Sequence, residues 1–356
     1  MTVANSAVPS SSASSSPTQT RRARLQAATN PVLAGPSTSA VAIGASGVGE
    51  VDCLTLANAH LRVDVAPRLG GGLTRFDWRS EGNLVPVFRR CRHVNGQTDA
   101  NELACYSLLP YSNRIGGGRF SVGGRTVEVP CNRAGEALPI HGDGWLASWQ
   151  VAEADQDSVR LTLDRSDGKP YAYRATQSYA LDGPTLVITL DIENVGRDTL
   201  PFGLGVHPFL VRDGDTQLSA AAAGLWLSGD DWLPVRHVPA PPAWQFGVAY
   251  PLPGSMVNHA FTDWSGRAAV VWQKRRLSLT VSSSTDCYVL YTPPGEDFFC
   301  FEPVDHPINA MNLPGGAAEH GMTLLARGEQ LSRTFRFTVE HTGLRAVAGG
   351  RSARRQ

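Results

Sequence analysis

Glu302 is a carboxylate in apolar company: Asp297-Phe298-Phe299-Cys300-Phe301 precedes it and Pro303 follows at once. The run reads as a strand that ends where the carboxylate begins, because proline has no amide hydrogen to give a ladder. A carboxylate at such a strand end either faces a cleft, its acidity tuned by partial desolvation, or caps a turn or pairs with a surface arginine. Two histidines sit in comparable settings. His207 lies in Phe202-Gly203-Leu204-Gly205-Val206-His207-Pro208-Phe209-Leu210, at the end of a short apolar segment where Pro208 breaks the ladder. His141 lies in Pro139-Ile140-His141-Gly142-Asp143-Gly144-Trp145, between an apolar residue and a turn. Arg114 completes the set, in Pro110-Tyr111-Ser112-Asn113-Arg114-Ile115 ahead of Gly116-Gly117-Gly118. A glutamate, two histidines and an arginine suit proton transfer on a neutral polyhydroxylated ligand, since imidazole titrates near neutrality and proton transfer needs a donor and an acceptor in reach.

Other chemistries lack their residues. The sequence has no paired cysteines and no H-x-x-x-H on a plausible helix to bind a metal. It has no G-x-S-x-G nucleophile elbow, and the glycine run lacks the Lys-Ser/Thr pair of a phosphate loop. The proton-transfer reading needs no cofactor. Lys+Arg 32 against Asp+Glu 32 gives a formal net charge of zero, so nothing draws the chain to nucleic acid or to an anionic membrane. No run of eighteen apolar residues exists to form a membrane-spanning helix. The six cysteines, at 53, 91, 105, 131, 287 and 300, read as free thiols of a reducing compartment, which points to the cytoplasm.

The elements that must position these residues are strands. Apolar residues take every second place in Leu61-Arg62-Val63-Asp64-Val65, in Val159 to Asp164, in Leu186, Ile188, Leu190 and Ile192, and in Phe335, Phe337 and Val339. Period two means one face buried and one wet. Turn signals such as Ser166-Asp167-Gly168-Lys169-Pro170 and Asp182-Gly183-Pro184 separate the runs, and the 36 glycines and 24 prolines fit many tight turns. The fold class is therefore all-β, a large antiparallel sandwich. Ser219 to Leu225 is the only stretch with helical spacing. Residues 1–50, rich in Ser, Ala, Thr, Gly and Pro, read as a disordered tail whose Arg21-Arg22-Ala23-Arg24 cluster leaves a targeting role open. The domain spans 51–341, and 342–356 reads as a second loose tail.

Taken in order, four stretches resemble the aldose 1-epimerase, or galactose mutarotase, family. They are Asn113-Arg114-Ile115 with Gly118-Arg119-Phe120, His141-Gly142 with Trp145, His207-Pro208-Phe209, and Glu302-Pro303 with Asn309-Ala310-Met311-Asn312. The resemblance implies a β-sandwich (the galactose mutarotase-like supersandwich) that binds a free sugar and interconverts its anomers. By that likeness Glu302 is the base for the C1 hydroxyl and His207 the acid for the ring oxygen. Arg114, His141 and Asn113 bind sugar oxygens. Asn258 stands where many members carry a sugar-binding aspartate, with Asp263 the next choice. A carboxylate beside an imidazole is expected to raise the histidine pKa and lower that of the glutamate.

Two other readings remain open on the sequence. One is an epimerase for sugar 6-phosphates, with Arg119, Arg125 and Arg133 as the added cations; the other is a sugar-binding module that keeps the fold without catalysis. His259 and His306 read as structural. Trp145, Trp226, Trp232, Trp244 and Trp264 could each stack on a sugar or pack in the core.

Overall fold

The computed structural model describes residues 52–342, so the flanking stretches expected to be tails lie outside the described residues except for Thr342. Within that span are 24 strands and six single-turn 3₁₀ segments, and no α-helix. No helix there is long and apolar enough to cross a membrane. All six cysteines are free.

Two large antiparallel sheets, of eleven and nine strands, hold most of the chain. The alternating runs become strands Leu61–Ala66, Ser158–Arg165, Thr185–Asn194 and Gln330–His341, the last three within the nine-stranded sheet. Asp182-Gly183-Pro184 turns the chain between Tyr173–Asp182 and Thr185–Asn194, whose register pairs Asp182 with Thr185. The sheets meet through apolar side chains and a few polar ties. Phe88 meets Phe337 edge-on at 5.3 Å. Trp272 Nε1 donates to Val211 O at 2.8 Å, and Tyr288 Oη to Ala220 O at 3.0 Å. Each tie lets a large side chain bury its polar tip without an orphaned group.

Ser219 to Leu225 is not helical. Its residues belong to strands Thr216–Ala220 and Gly224–Ser228, with a short connection between. Leu218 and Ala220 are buried at alternate places against the core, and period-two burial overrides the weak helical spacing.

The middle of the eleven-stranded sheet matters for function. There the order is Cys105–Leu108, Gly205–Val211, Phe298–Val304, Cys287–Tyr291 and Asn258–Thr262. Alternation divides each strand between two environments. Phe299 and Phe301 join the core cluster shared with the second sheet, as do Val206, Leu210, Tyr288 and Leu290. Cys300, Val304, Phe209, Val289 and Tyr106 belong to a second apolar cluster on the opposite face. Glu302 and His207 share the parity of that second set.

Candidate active site

Glu302 and His207 sit inside strands, not at their ends. Phe298–Val304 runs through Glu302 and Pro303, and Gly205–Val211 runs through His207 and Pro208. The prolines instead interrupt one ladder. Between these two strands Gly205 pairs with Val304 and Phe209 with Cys300, while the places between carry no pairs. Both strands keep their other neighbours, since His207 and Pro208 pair with Tyr106 and Cys105, and Glu302 and Pro303 pair with Val289 and Tyr288. A strand held from its far side tolerates a missing donor.

That register sets His207 directly opposite Glu302. His207 Nε2 stands 3.3 Å from Glu302 Oε1, with the residues 8% and 2% exposed. The imidazole packs against two neighbouring rings, Tyr106 at 4.6 Å and Phe209 at 4.7 Å, which are themselves 6.0 Å apart. That packing restricts the direction in which Nε2 points. Each member of the pair keeps one buried atom without a hydrogen-bond partner, His207 Nδ1 and Glu302 Oε2. Orphaned buried groups cost about 1–3 kcal/mol each, which marks the place as one built for something other than stability.

All six residues singled out in the sequence line one cavity of about 400 Å³: Glu302, His207, His141, Arg114, Asn113 and Asn258. A short corner of backbone supplies three of them. Asn113 and His141 both have positive φ, 56° and 60°. They brace each other, His141 N donating to Asn113 O at 3.0 Å and Asn113 N to His141 Nδ1 at 3.0 Å. With Nδ1 accepting, a neutral imidazole carries its proton on Nε2. His141 is thus buried, not an exposed loop residue, and a hydrogen-bond donor. Gly142 follows because a Cβ there would come within 2.0 Å of Leu109 O. Arg114 pairs with Glu136 at 3.1 Å. Its carbonyl accepts from Asn309 N at 3.1 Å, while Asn309 Oδ1 accepts from Gly116 N at 2.8 Å. The Asn309 to Asn312 stretch therefore anchors the arginine loop and is not part of the cavity wall.

Burial sets the protonation of the central pair, against the sequence expectation. It pushes Glu302 up to about 8, with Arg114 opposing, and pulls His207 down to about 3, with Arg89 adding to the fall. The 3.3 Å contact favours the ion pair, but two charges this deep lose more hydration than one contact returns. At neutral pH the pair holds one proton, on the carboxyl. His141 is likewise held well below the usual imidazole range by burial and by His207, Arg114 and Arg133.

The remaining residues separate cleanly. His306 accepts from Ser112 N at 3.1 Å and His259 from Ser228 N at 3.1 Å, so both are structural as expected. Asp263 lines a different cavity, beside Trp226 and His237. Arg133 lines the central cavity, whereas Arg119 is exposed and Arg125 pairs with Asp198 at 2.9 Å. Of the tryptophans, Trp232 lines the cavity; Trp145 lies under it, fully buried and stacked on Tyr106 at 5.0 Å. Arg89, Tyr106, Tyr291 and Phe298 also line the cavity and were missed in the sequence. A larger depression lies over the outer face of the nine-stranded sheet, but its groups already pair with one another, Arg174 with Asp164 at 3.1 Å and Thr176 with Asp191 at 2.9 Å.

Comparison with known proteins agrees with this geometry. The family profile for aldose 1-epimerase matches residues 52–338. YphB of Escherichia coli K12, an uncharacterized protein, is 31% identical over 296 residues, covering 80% of this chain and 98% of its own. Mouse galactose mutarotase is 29% identical over 216 residues, covering 59% of this chain and 60% of the mouse protein. Among solved structures, a candidate aldose 1-epimerase of Escherichia coli K12 superposes with a TM-score of 0.75 at 31% identity, over 81% of this chain and 99% of that one. A galactose mutarotase-like protein of Clostridium acetobutylicum, 19% identical, shares the fold with a TM-score of 0.72 over 82% of this chain and 96% of its own. The chain belongs to the aldose 1-epimerase family.

Proposed function

We propose that this protein is an aldose 1-epimerase that interconverts the α and β anomers of a free aldose by ring opening and closure. The observation that carries the reading is the 3.3 Å contact of His207 Nε2 with Glu302 Oε1 on the floor of a polar-rimmed cavity. Ring opening needs one group to take the C1 hydroxyl proton and another to give a proton to the ring oxygen. Together they must hold one proton. The Glu302–His207 pair does so whichever partner carries it.

In the reactive form the proton has crossed from Glu302 to His207, a shift that leaves the net charge unchanged. Sugar hydroxyls donating to the carboxylate, and the positive charge of Arg114, favour that placement. Glu302 then takes the C1 hydroxyl proton as His207 protonates the ring oxygen. The C1–O5 bond breaks, the open chain turns about C1–C2, and closure with the roles reversed returns both protons. His141 Nε2–H and Arg114 donate to sugar oxygens and hold the ring in place. Trp232, Tyr291 and Phe298 offer faces for the sugar C–H surface.

A second reading is favoured by Arg89, namely an aldose bearing an anionic group such as a 6-phosphate. Its guanidinium lies over Phe209 at 4.0 Å and Phe298 at 4.4 Å. It bonds to the Asn101 and Leu103 carbonyls and has no carboxylate partner among the described ion pairs. Polarimetry of freshly dissolved α-D-glucose, α-D-galactose and α-D-glucose 6-phosphate tests both readings. Acceleration of the free sugars supports the first and acceleration confined to the phosphate supports the second. A folded protein that accelerates none of them refutes both.

A further inference from the structure

Cys300 plays no part in the reaction above, yet it stands beside the pair that does. Cys300 and Glu302 are two places apart on one strand and so point to the same face, and the Cys300 backbone pairs with Phe209, two places beyond His207. A nitrogen of His207, the Cys300 sulfur and a carboxylate oxygen of Glu302 all lie within 4.8 Å of one another, and all three residues are buried. The 3.3 Å contact presents His207 Nε2 to Glu302, and Glu302 Oε2 has no hydrogen-bond partner, so a carboxylate oxygen remains uncommitted beside the thiol.

We propose that His207, Cys300 and Glu302 form a three-donor site for a thiophilic divalent cation such as zinc, and that occupancy of this site switches the enzyme off. Zinc bonds of about 2.0–2.3 Å at tetrahedral angles place donors about 3.3–3.7 Å apart. The His207–Glu302 contact of 3.3 Å already meets that spacing, and closing the sulfur onto it takes about an ångström of side-chain movement. A thiolate with an imidazole selects zinc over magnesium or calcium, which prefer all-oxygen shells. Binding displaces the Cys300 thiol proton and the Glu302 carboxyl proton to solvent. One thiolate and one carboxylate then neutralise the ion, so the filled site carries no net charge in its apolar surroundings. The fourth position opens toward the cavity.

The same geometry makes this ion a reversible inhibitor. The unpartnered His207 Nδ1 lacks the outer hydrogen bond that orients a resident ligand, a lack that costs about 10- to 100-fold in affinity. Arg89 and Arg114 line the cavity and repel a cation. A bound ion takes the lone pairs of both proton-transfer groups, so ring opening and zinc occupancy exclude each other.

The test uses zinc chloride and cobalt chloride as probes on the full chain, with Cys300→Ser and Cys300→Ala. Mutarotation by wild type is expected to fall with added zinc and to return with EDTA. Both variants should keep the zinc-free rate within about twofold and need at least about tenfold more zinc for half inhibition. Cobalt should give wild type an intense near-ultraviolet sulfur-to-metal band that both Cys300 variants lack and that Cys131→Ser, which removes the exposed thiol, retains. Equal zinc sensitivity in wild type and variants, or a cobalt band that follows Cys131, would overturn the proposal. The inhibition arm rests on the mutarotase reading and the cobalt arm does not. A Cys300-dependent band without mutarotation leaves the metal site standing and removes the epimerase reading; mutarotation without the band does the reverse.

Discussion

Replacing Glu302 by Gln separates the catalytic claim from the structural one, because the amide keeps the shape and removes the proton chemistry. A positioned general base contributes roughly 100- to 10,000-fold, so mutarotation should fall by about that factor with little change in KM. Stability should move the other way. The folded pKa of Glu302 is about 8 against an ordinary 4.5, so its contribution is fully present below about pH 4.5 and is lost as pH rises through 8. Between those values the unfolded chain ionises while the buried carboxyl keeps its proton, which costs about 1.36 kcal/mol of stability per pH interval and amounts to on the order of 3–5 kcal/mol by pH 8. Glutamine carries no such dependence. Urea unfolding of both proteins from pH 4.5 to 9 should therefore show the variant gaining on wild type up to about pH 8 and then running parallel. Polarimetry on the same samples gives the rate. A variant that turns over at near wild-type rate would remove Glu302 from the mechanism, and a stability difference flat in pH would show that burial does not hold the proton on it.

Three further outcomes follow from the same geometry. His207→Asn should lower mutarotation by roughly 100- to 10,000-fold, read by polarimetry, and a loss under tenfold would refute its role as the acid. The pH profile of kcat/KM should be a broad bell: activity is lost as pH climbs past about 8, where the pair gives up its only proton, and as it falls toward about 3, where a second is added. A profile already falling by pH 6.5 would mean that the pair titrates at ordinary values. Arg114→Gln removes a sugar donor and the charge that holds Glu302 down, so KM should rise and the basic limb should move upward from about 8; an unmoved limb in the measured profile would show that the arginine does not act on the carboxyl.

Much of this was legible in the sequence, for physical reasons that can be named. Strict alternation in Leu186 to Ile192 and Phe335 to Val339 admits only a half-buried strand, and those strands form. Glu302, His207, His141 and Arg114 were readable as polar groups set where apolar runs meet prolines or glycines, while Asn113 and Asn258 came from the family resemblance. What local pattern could not show was which face each strand turns to the cavity. Counting back by two from Glu302 reaches Cys300 and then Phe298, which lines the cavity, so period two held that signal unused. Tyr106 and Tyr291 had none, since Cys105-Tyr106-Ser107 reads as ordinary core and Tyr291 comes near only through pairing with Cys300 and Asn258. Arg89 was hidden for the same reason, its place set by Phe209 and Phe298 from distant strands.

The expectation that failed, an ion pair at rest, is the one that explains why the site is built as it is. In a solvated pair the carboxylate would hold its charge and the imidazole its proton, each stabilised by water and by the other. Here Tyr106 and Phe209 pack against the imidazole and Glu302 is 2% exposed, so water is replaced by apolar walls. The two prolines deepen the isolation, because the interrupted ladder between the strands leaves the side chains opposite each other with no neighbouring backbone pair. Burial holds the lone proton on Glu302, and on the epimerase reading a sugar that brings its own hydroxyls supplies the hydrogen bonds that let it cross to His207. On the epimerase reading the unpartnered Glu302 Oε2 and the Nε2–H of His141 would meet that substrate. Binding and proton placement would then be one event, with the destabilisation stored in the site released on the reaction path.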